Sequence, residues 1–208
     1  MSRRSVLTVA MSVVTGLLAG LSGGANAAGD AAKGAELATT CMGCHGIPGY
    51  RNAYPSYRVP KLGGQKPEYL VSALQAYRAR TRNHPTMQAQ AATLSDEDMQ
   101  NLAAFFAGQG ELQAGSVASG GGAAARGKIK AAACAACHGE AGASPAPTWP
   151  SLAGQHRDYI EHAIAGYQAK VRQDPIMQGQ VMALSDQDVK DLAAYFAAQP
   201  GLFTVYYQ

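Results

Sequence analysis

The sequence predicts an all-α fold of two tandem domains related by internal duplication. Three observations predict it: a long self-match at constant spacing, helix start signals that recur in both copies, and the lack of a convincing alternating strand pattern. The self-match sets KLGGQKPEYLVSALQAYRARTRNHPTMQAQAATLSDEDMQNLAAFFAGQ beside SLAGQHRDYIEHAIAGYQAKVRQDPIMQGQVMALSDQDVKDLAAYFAAQ. Gln65, Tyr69, Tyr77, Met87 and Leu94-Ser95-Asp96 meet Gln155, Tyr159, Tyr167, Met177 and Leu184-Ser185-Asp186, always 90 residues apart. Two copies at so long a period indicate duplication of a whole domain rather than a solenoid.

In chain order, the first segment reads as an export signal over residues 1–27. Arg3 and Arg4 form a positive start, Val6 to Leu21 is apolar, and Ala25-Asn26-Ala27 is an A-x-A cleavage site. An uncleaved anchor is the alternative, but the run falls short of the roughly 20 apolar residues of a spanning helix. Ser2-Arg3-Arg4 also resembles a twin-arginine start, and that match fades after Arg4. A mature chain beginning near Ala28 implies a periplasmic location. Domain 1 is expected over 28–114, a Gly/Ala/Ser-rich linker over 115–127 and domain 2 over 128–208.

Each copy should open with a short helix, over 30–40 and 123–133. A longer helix starts near Pro67, which suits a first turn, and puts Tyr69, Leu70, Leu74 and Tyr77 on one face. The final helix starts at Ser95 with Asp98 three positions on, repeated as Ser185 and Asp188, a capping-box signature.

Charge excludes one class of function. The chain has 17 Lys+Arg and 14 Asp+Glu, and losing Arg3 and Arg4 leaves 17 − 2 = 15 against 14. So balanced a mature chain has no electrostatic footprint for nucleic acid.

Domains of this size, rich in glycine and loops, have a thin core. All four cysteines lie in two boxes, CMGCH at 41–45 and CAACH at 134–138. Two intervening residues are a poor frame for a structural disulfide, even in an exported protein. A thioredoxin-like pair needs an α/β context, and zinc needs a fourth ligand, for which no cysteine or histidine is shared by both copies. Covalent haem attachment accounts for the whole pattern. On one helical turn, cysteines at i and i+3 project together and can join the two vinyl groups of one porphyrin edge. The next residue turns an imidazole toward the iron. Cys41, Cys44, Cys134 and Cys137 are therefore the expected attachment points of two haem c groups, with His45 and His138 as proximal ligands.

The repeat selects the other axial ligand. Met87 and Met177 are equivalent, whereas Met99 faces Val189 and Met182 faces Ala92. Met87 and Met177 are expected on a loop over each haem, and Met99 and Met182 as core filler. His84 precedes Met87 but matches Asp174, so it reads as a solvated loop residue; His156 and His162 read as surface positions. A proximal imidazole needs an acceptor for its other N–H. The carbonyls of Pro60 and Pro150, at the head of PKLGGQ and PSLAGQ, are the candidates. The paired tyrosines and Trp149 read as packing residues.

These features resemble class I c-type cytochromes over essentially the whole mature chain: the early box, the PxLxGQ loop, the distal methionine and the L-S-D-x-D…L-A-A-Y/F-F helix. Duplicated, they resemble the two-haem cytochrome c4 type. The resemblance implies one His/Met haem per domain, with the domains packed near the haem propionates. One departure stands out. The first copy carries GIPGYRNAYPSYRVPKLGGQ, three residues longer than the second copy's segment, so domain packing should differ from the type.

The function expected is single-electron transfer, not catalysis, between redox proteins such as a membrane quinol-oxidising complex and a terminal oxidase or reductase. Peripheral membrane association would suit such partners. The alternatives are a permanently docked subunit of a dehydrogenase or oxidase complex, and a two-haem peroxidase-type or thiosulfate-oxidising enzyme, which needs one open iron.

Overall fold

The computed structural model describes residues 29–113 and 121–206. The expected signal segment, residues 1–27, lies outside the described residues, as do residues 115–120 of the expected linker. None of the described helices is long and apolar enough to cross a membrane.

The first half contains α1 (Ala31–His45), α2 (Pro67–Arg78), α3 (Pro85–Ala92) and α4 (Asp96–Gly108). The second contains α5 (Ala123–Lys130), a 3-10 turn at Ala131–Ala133, α6 (Ala135–His138), α7 (Arg157–Gln168), α8 (Pro175–Val181) and α9 (Asp186–Ala197). Extended pairing among the described residues is limited to isolated bridges. The all-α prediction agrees with this architecture.

Several boundaries differ from expectation for local reasons. Asp30 caps α1 by accepting from the N–H groups of Ala32 and Lys33, and the helix continues through the cysteine box to His45 instead of ending near residue 40. In the second half α5 starts at Ala123 as expected, but the helix is broken by the 3-10 turn before its box. The largest correction concerns Met87 and Met177, which lie on helices and not on loops. Pro85 and Pro175 start these short helices at their first turn, where a missing N–H costs nothing.

Both final helices have the expected capping boxes. Ser95 and Ser185 accept from the backbone of Asp98 and Asp188, whose carboxylates accept in return from the serine N–H groups. In each half the first and last helices cross at a glycine. A Cβ on Gly34 would lie 2.0 Å from Asn101 O, and one on Gly127 would lie 2.0 Å from Asp191 O. No larger residue permits that approach.

Each half has a small core. Ala38, Met42, Leu70, Leu102, Ala103 and Phe106 form the first, and Ala131, Ile160, Leu192, Ala193, Tyr195 and Phe196 the second. The first core also takes Val205 from the far end of the chain. After α9 the chain returns across the first half, where Gly63 and Phe203 exchange backbone hydrogen bonds of 3.0 and 3.2 Å. This strap was not legible in the repeat, because only one copy possesses it.

The halves meet around a pseudo-two-fold axis. Gln65 Nε2 donates to Ser151 O at 3.0 Å, and Gln65 Oε1 accepts from Ser151 N–H at 2.9 Å. Gln155 does the same with Lys61, both bonds at 3.0 Å. Since residues 61 and 151, and 65 and 155, are equivalent in the repeat, one contact is the image of the other, as in an isologous dimer interface.

Candidate functional site

The helix carrying each box sets the site. In α1, Cys41 and Cys44 are half-buried and unpaired, with His45 closing the last turn. In the second half Cys134 precedes α6, Cys137 lies on it and His138 ends it. Burial pushes the Cys41 and Cys134 thiols up.

Both histidines make the same bond. His45 Nδ1–H donates to Pro60 O at 2.9 Å, and His138 Nδ1–H donates to Pro150 O at 2.8 Å. A carbonyl can only accept, so Nδ1 carries the hydrogen and Nε2 keeps its lone pair. Burial lowers both imidazole pKa values, outweighing the proline contacts that raise them, so both rings stay neutral. A neutral imidazole with a fixed ring and a free Nε2 is a metal-ready donor. With two thiols one turn away, this donor set fits haem c in both halves. The described residues contain no cluster of three or more His, Cys, Asp or Glu side chains suited to a metal, which leaves zinc without a site.

Met87 and Met177 are half-buried on α3 and α8, and each backbone N–H is held by the preceding N-cap. His84 Nδ1 accepts from Met87 N–H at 3.2 Å, and Asp174 Oδ1 accepts from Met177 N–H at 2.9 Å. His84 is therefore no solvated loop residue. Its Nε2–H donates to Asn52 Oδ1 at 3.1 Å, and its ring meets Tyr77 edge-on. The histidine–aspartate mismatch in the repeat conceals one shared role, since both can accept at an N-cap.

Two other histidine expectations also change. His156 and His162 sit half-buried between the halves, with His162 stacked on Tyr57 at 3.8 Å between ring centroids. Burial, then the Lys61 and Arg58 charges, lower the His156 pKa to about 4. Met99 is fully buried, as expected of core filler, whereas Met182 is 53% exposed at the end of α8 and is not. Trp149 is 37% exposed and adds little to any core.

The tyrosines do more than fill space. The Tyr69 hydroxyl accepts from both Arg82 and Arg172 and the Tyr159 hydroxyl from Arg82, while Tyr77 and Tyr167 lie under the two guanidiniums. Sequence reasoning missed this cluster, although the signal was present: Arg82 and Arg172 are equivalent in the repeat, each five residues before its methionine.

The cytochrome c family model matches residues 31–109 and again 124–199, one copy on each box with its histidine–proline pair. The chain belongs to the cytochrome c family. Within it, cytochrome c4 of Pseudomonas aeruginosa is 47% identical over 191 residues, covering 86% of this chain and 93% of its own. The crystal structure of reduced recombinant cytochrome c4 from Pseudomonas stutzeri matches with a TM-score of 0.67 and 29% identity, over 83% of this chain and all of that one. A thiosulfate dehydrogenase electron acceptor of Stutzerimonas stutzeri is 33% identical over 172 residues, covering 77% of this chain and 79% of its own. The chain is thus a two-haem electron-transfer cytochrome of the c4 kind, with covalent haem c on Cys41 and Cys44 and on Cys134 and Cys137.

Proposed function

We propose that this cytochrome carries single electrons in the periplasm between respiratory redox proteins, through domains spanning 28–114 and 128–208. The observation that carries the proposal is the duplicated histidine–proline bond, which leaves Nε2 of His45 and of His138 equally free to serve as proximal ligand. Each haem, when bound, exchanges one electron between ferric and ferrous iron. The chain's own residues then have distinct tasks. Pro60 and Pro150 fix the imidazole rings, and Met87 and Met177 are the proposed sixth ligands. The N-caps His84 and Asp174 hold the first turns that carry those methionines. A thioether opposite an imidazole favours ferrous iron and a comparatively high potential. Were Met87 and Met177 to ligate together with His45 and His138, neither iron would be open to substrate, which would separate a carrier from an enzyme.

Partners follow from the same reading. A quinol-oxidising membrane complex and a terminal oxidase or reductase are the expected donor and acceptor classes. The relative that serves a thiosulfate dehydrogenase adds a thiosulfate-oxidising enzyme as a donor class.

A reductive optical titration of the purified protein, with mass spectrometry of the polypeptide, tests the proposal. Two haem adducts and a far-red ferric absorption with the intensity of two methionine–iron bonds are expected. One such bond in place of two would refute the plain carrier and favour an enzyme with an open iron.

A further inference from the structure

The two methionine helices are capped differently, and one of the two caps is tied to the opposite half of the molecule. In the second half Asp174 Oδ1 accepts from Met177 N–H at 2.9 Å, and that carboxylate has no other hydrogen bond or ion pair among the described residues. In the first half the cap is a longer side chain with a polar atom at each end. His84 Nδ1 accepts from Met87 N–H at 3.2 Å, so the ring hydrogen sits on Nε2, which donates to Asn52 Oδ1 at 3.1 Å.

Asn52 belongs to the segment that is shorter in the second copy. Residues 50–59 fold back on themselves. Val59 N–H donates to Tyr50 O at 2.8 Å, and Tyr57 O accepts from Asn52 N–H at 2.9 Å and from Asn52 Nδ2 at 3.3 Å. Arg51 and Arg58 are antiparallel partners in this hairpin. Its other contacts lie on the second half. Tyr57 stacks on His162 with 14° between the ring planes, and Arg51 and Arg58 both reach Asp158. A cavity of about 30 Å³ is lined by His84, Tyr57 and His162 together, so the cap itself stands at the interface.

A path of direct contacts therefore runs from Met87 N–H through His84, Asn52 and Tyr57 to His162. An isolated two-stranded hairpin is at best marginally stable in water, so this one keeps its shape by what it packs against. That support is the second half. Likewise α3 has only eight residues, too few for a helix to hold itself, and its first turn is only as firm as its cap. We propose that Asn52 is a positioning residue for Met87, acting through His84, so that sulfur ligation of the first haem depends on the docking of the two halves and that of the second does not. This rests on the reading of Met87 and Met177 as sixth ligands.

Free imidazole tests it on the ferric two-haem protein, with loading first checked by mass. Imidazole competes with each thioether for iron, so its affinity, followed by loss of the far-red methionine–iron band, reports how firmly each methionine is held. Met87→His, in which only the second haem keeps a thioether to displace, assigns the two steps. Asn52→Ala should raise the imidazole affinity of the first haem about fivefold, the equivalent of one hydrogen bond, and leave the second unchanged. Asn52→Asp keeps the acceptor and should restore the wild-type affinity. The decisive variant lies in the other half. Asp158→Asn should raise the affinity of the first haem about twofold while sparing the second, although Asp158 belongs to the second half. His84→Asp copies the second half's cap and is too short to reach Asn52. In that background Asp158→Asn should have no further effect on the first haem.

An Asn52→Ala protein that leaves the first haem unchanged, or moves both haems equally, overturns the proposal. So does an Asp158→Asn effect that falls on the second haem or on neither. A wild-type far-red band worth one bond on two attached haems would break the methionine reading itself, and this inference with it.

Discussion

The segments that follow the two cysteine boxes perform one task by opposite means. In the second half, residues 139–150 close on themselves. Leu152 and Ala153 N–H groups both donate to Gly142 O, at 2.7 and 3.0 Å. The hydroxyl of buried Ser144 lies within hydrogen-bond reach of both Cys137 O and Ala146 O, at 3.2 and 3.1 Å. In the first half, residues 46–60 turn outward and grip the neighbouring domain. Arg51 and Arg58 converge on Asp158, Arg58 N–H adds a bond of 3.2 Å to the same carboxylate, and Tyr57 lies on His162. Both segments still deliver a proline carbonyl to a proximal histidine at nearly the same distance. The chemistry of the site is thus held within each half, whereas the longer first segment adds contacts of its own between the halves.

The difference can be broken from either side. The largest effect should come from the closed segment. Gly142 has φ +85°, and a Cβ there would lie 2.7 Å from the Phe196 ring. Gly142→Ala should destabilise the second half by about 4 kcal/mol, combining left-handed strain with overpacking. Gly49 also has positive φ, but its Cβ would meet nothing within 4 Å, so Gly49→Ala should cost only about 1 kcal/mol. Denaturant melts of the holoprotein compare the two directly.

Next comes Tyr57, buried at the interface with 6% exposure. Tyr57→Ala should cost about 2 kcal/mol, less than an aromatic deleted from a closed core, because only one side is anchored. Protease cleavage near exposed Tyr54 should accelerate. Asp158→Asn should have a smaller effect, about 1 kcal/mol, since both ion pairs are partly solvated. That loss should shrink further in high salt.

The smallest effect is a pH dependence at the start of one helix. His156 caps α7, while its counterpart at the start of α2 is Lys66, so only the second half titrates here. The folded His156 pKa, about 4, is below the ordinary 6.5, so the unfolded chain binds the proton more readily. Its contribution is complete above about pH 6.5 and is lost as pH falls toward 4. His156→Gln should reduce the slope of the stability profile across that window, where His84 and His162 also contribute, and leave it unchanged at pH 8.

The legible part of this protein was whatever had short or periodic spacing. CxxCH is complete in five residues, the capping boxes in four, and the duplication in one alignment. Even the His45–Pro60 and His138–Pro150 pairings were readable, since the second copy repeats the first. The Met87 and Met177 helices were missed because a proline ahead of so short a run reads as a loop. The N-cap role of His84 was missed because aspartate and histidine differ in everything but an acceptor atom.

What the sequence determined by itself is therefore the local chemistry: two haem boxes, their proline partners and a repeated framework of helices. Tertiary structure alone decided how the halves face each other. Arg82 meets Tyr159 across 77 residues, Arg172 meets Tyr69 across 103, and Val205 returns to the first core. No period or motif spans such distances; they are set by burying two surfaces against each other, and burial is a property of the folded whole.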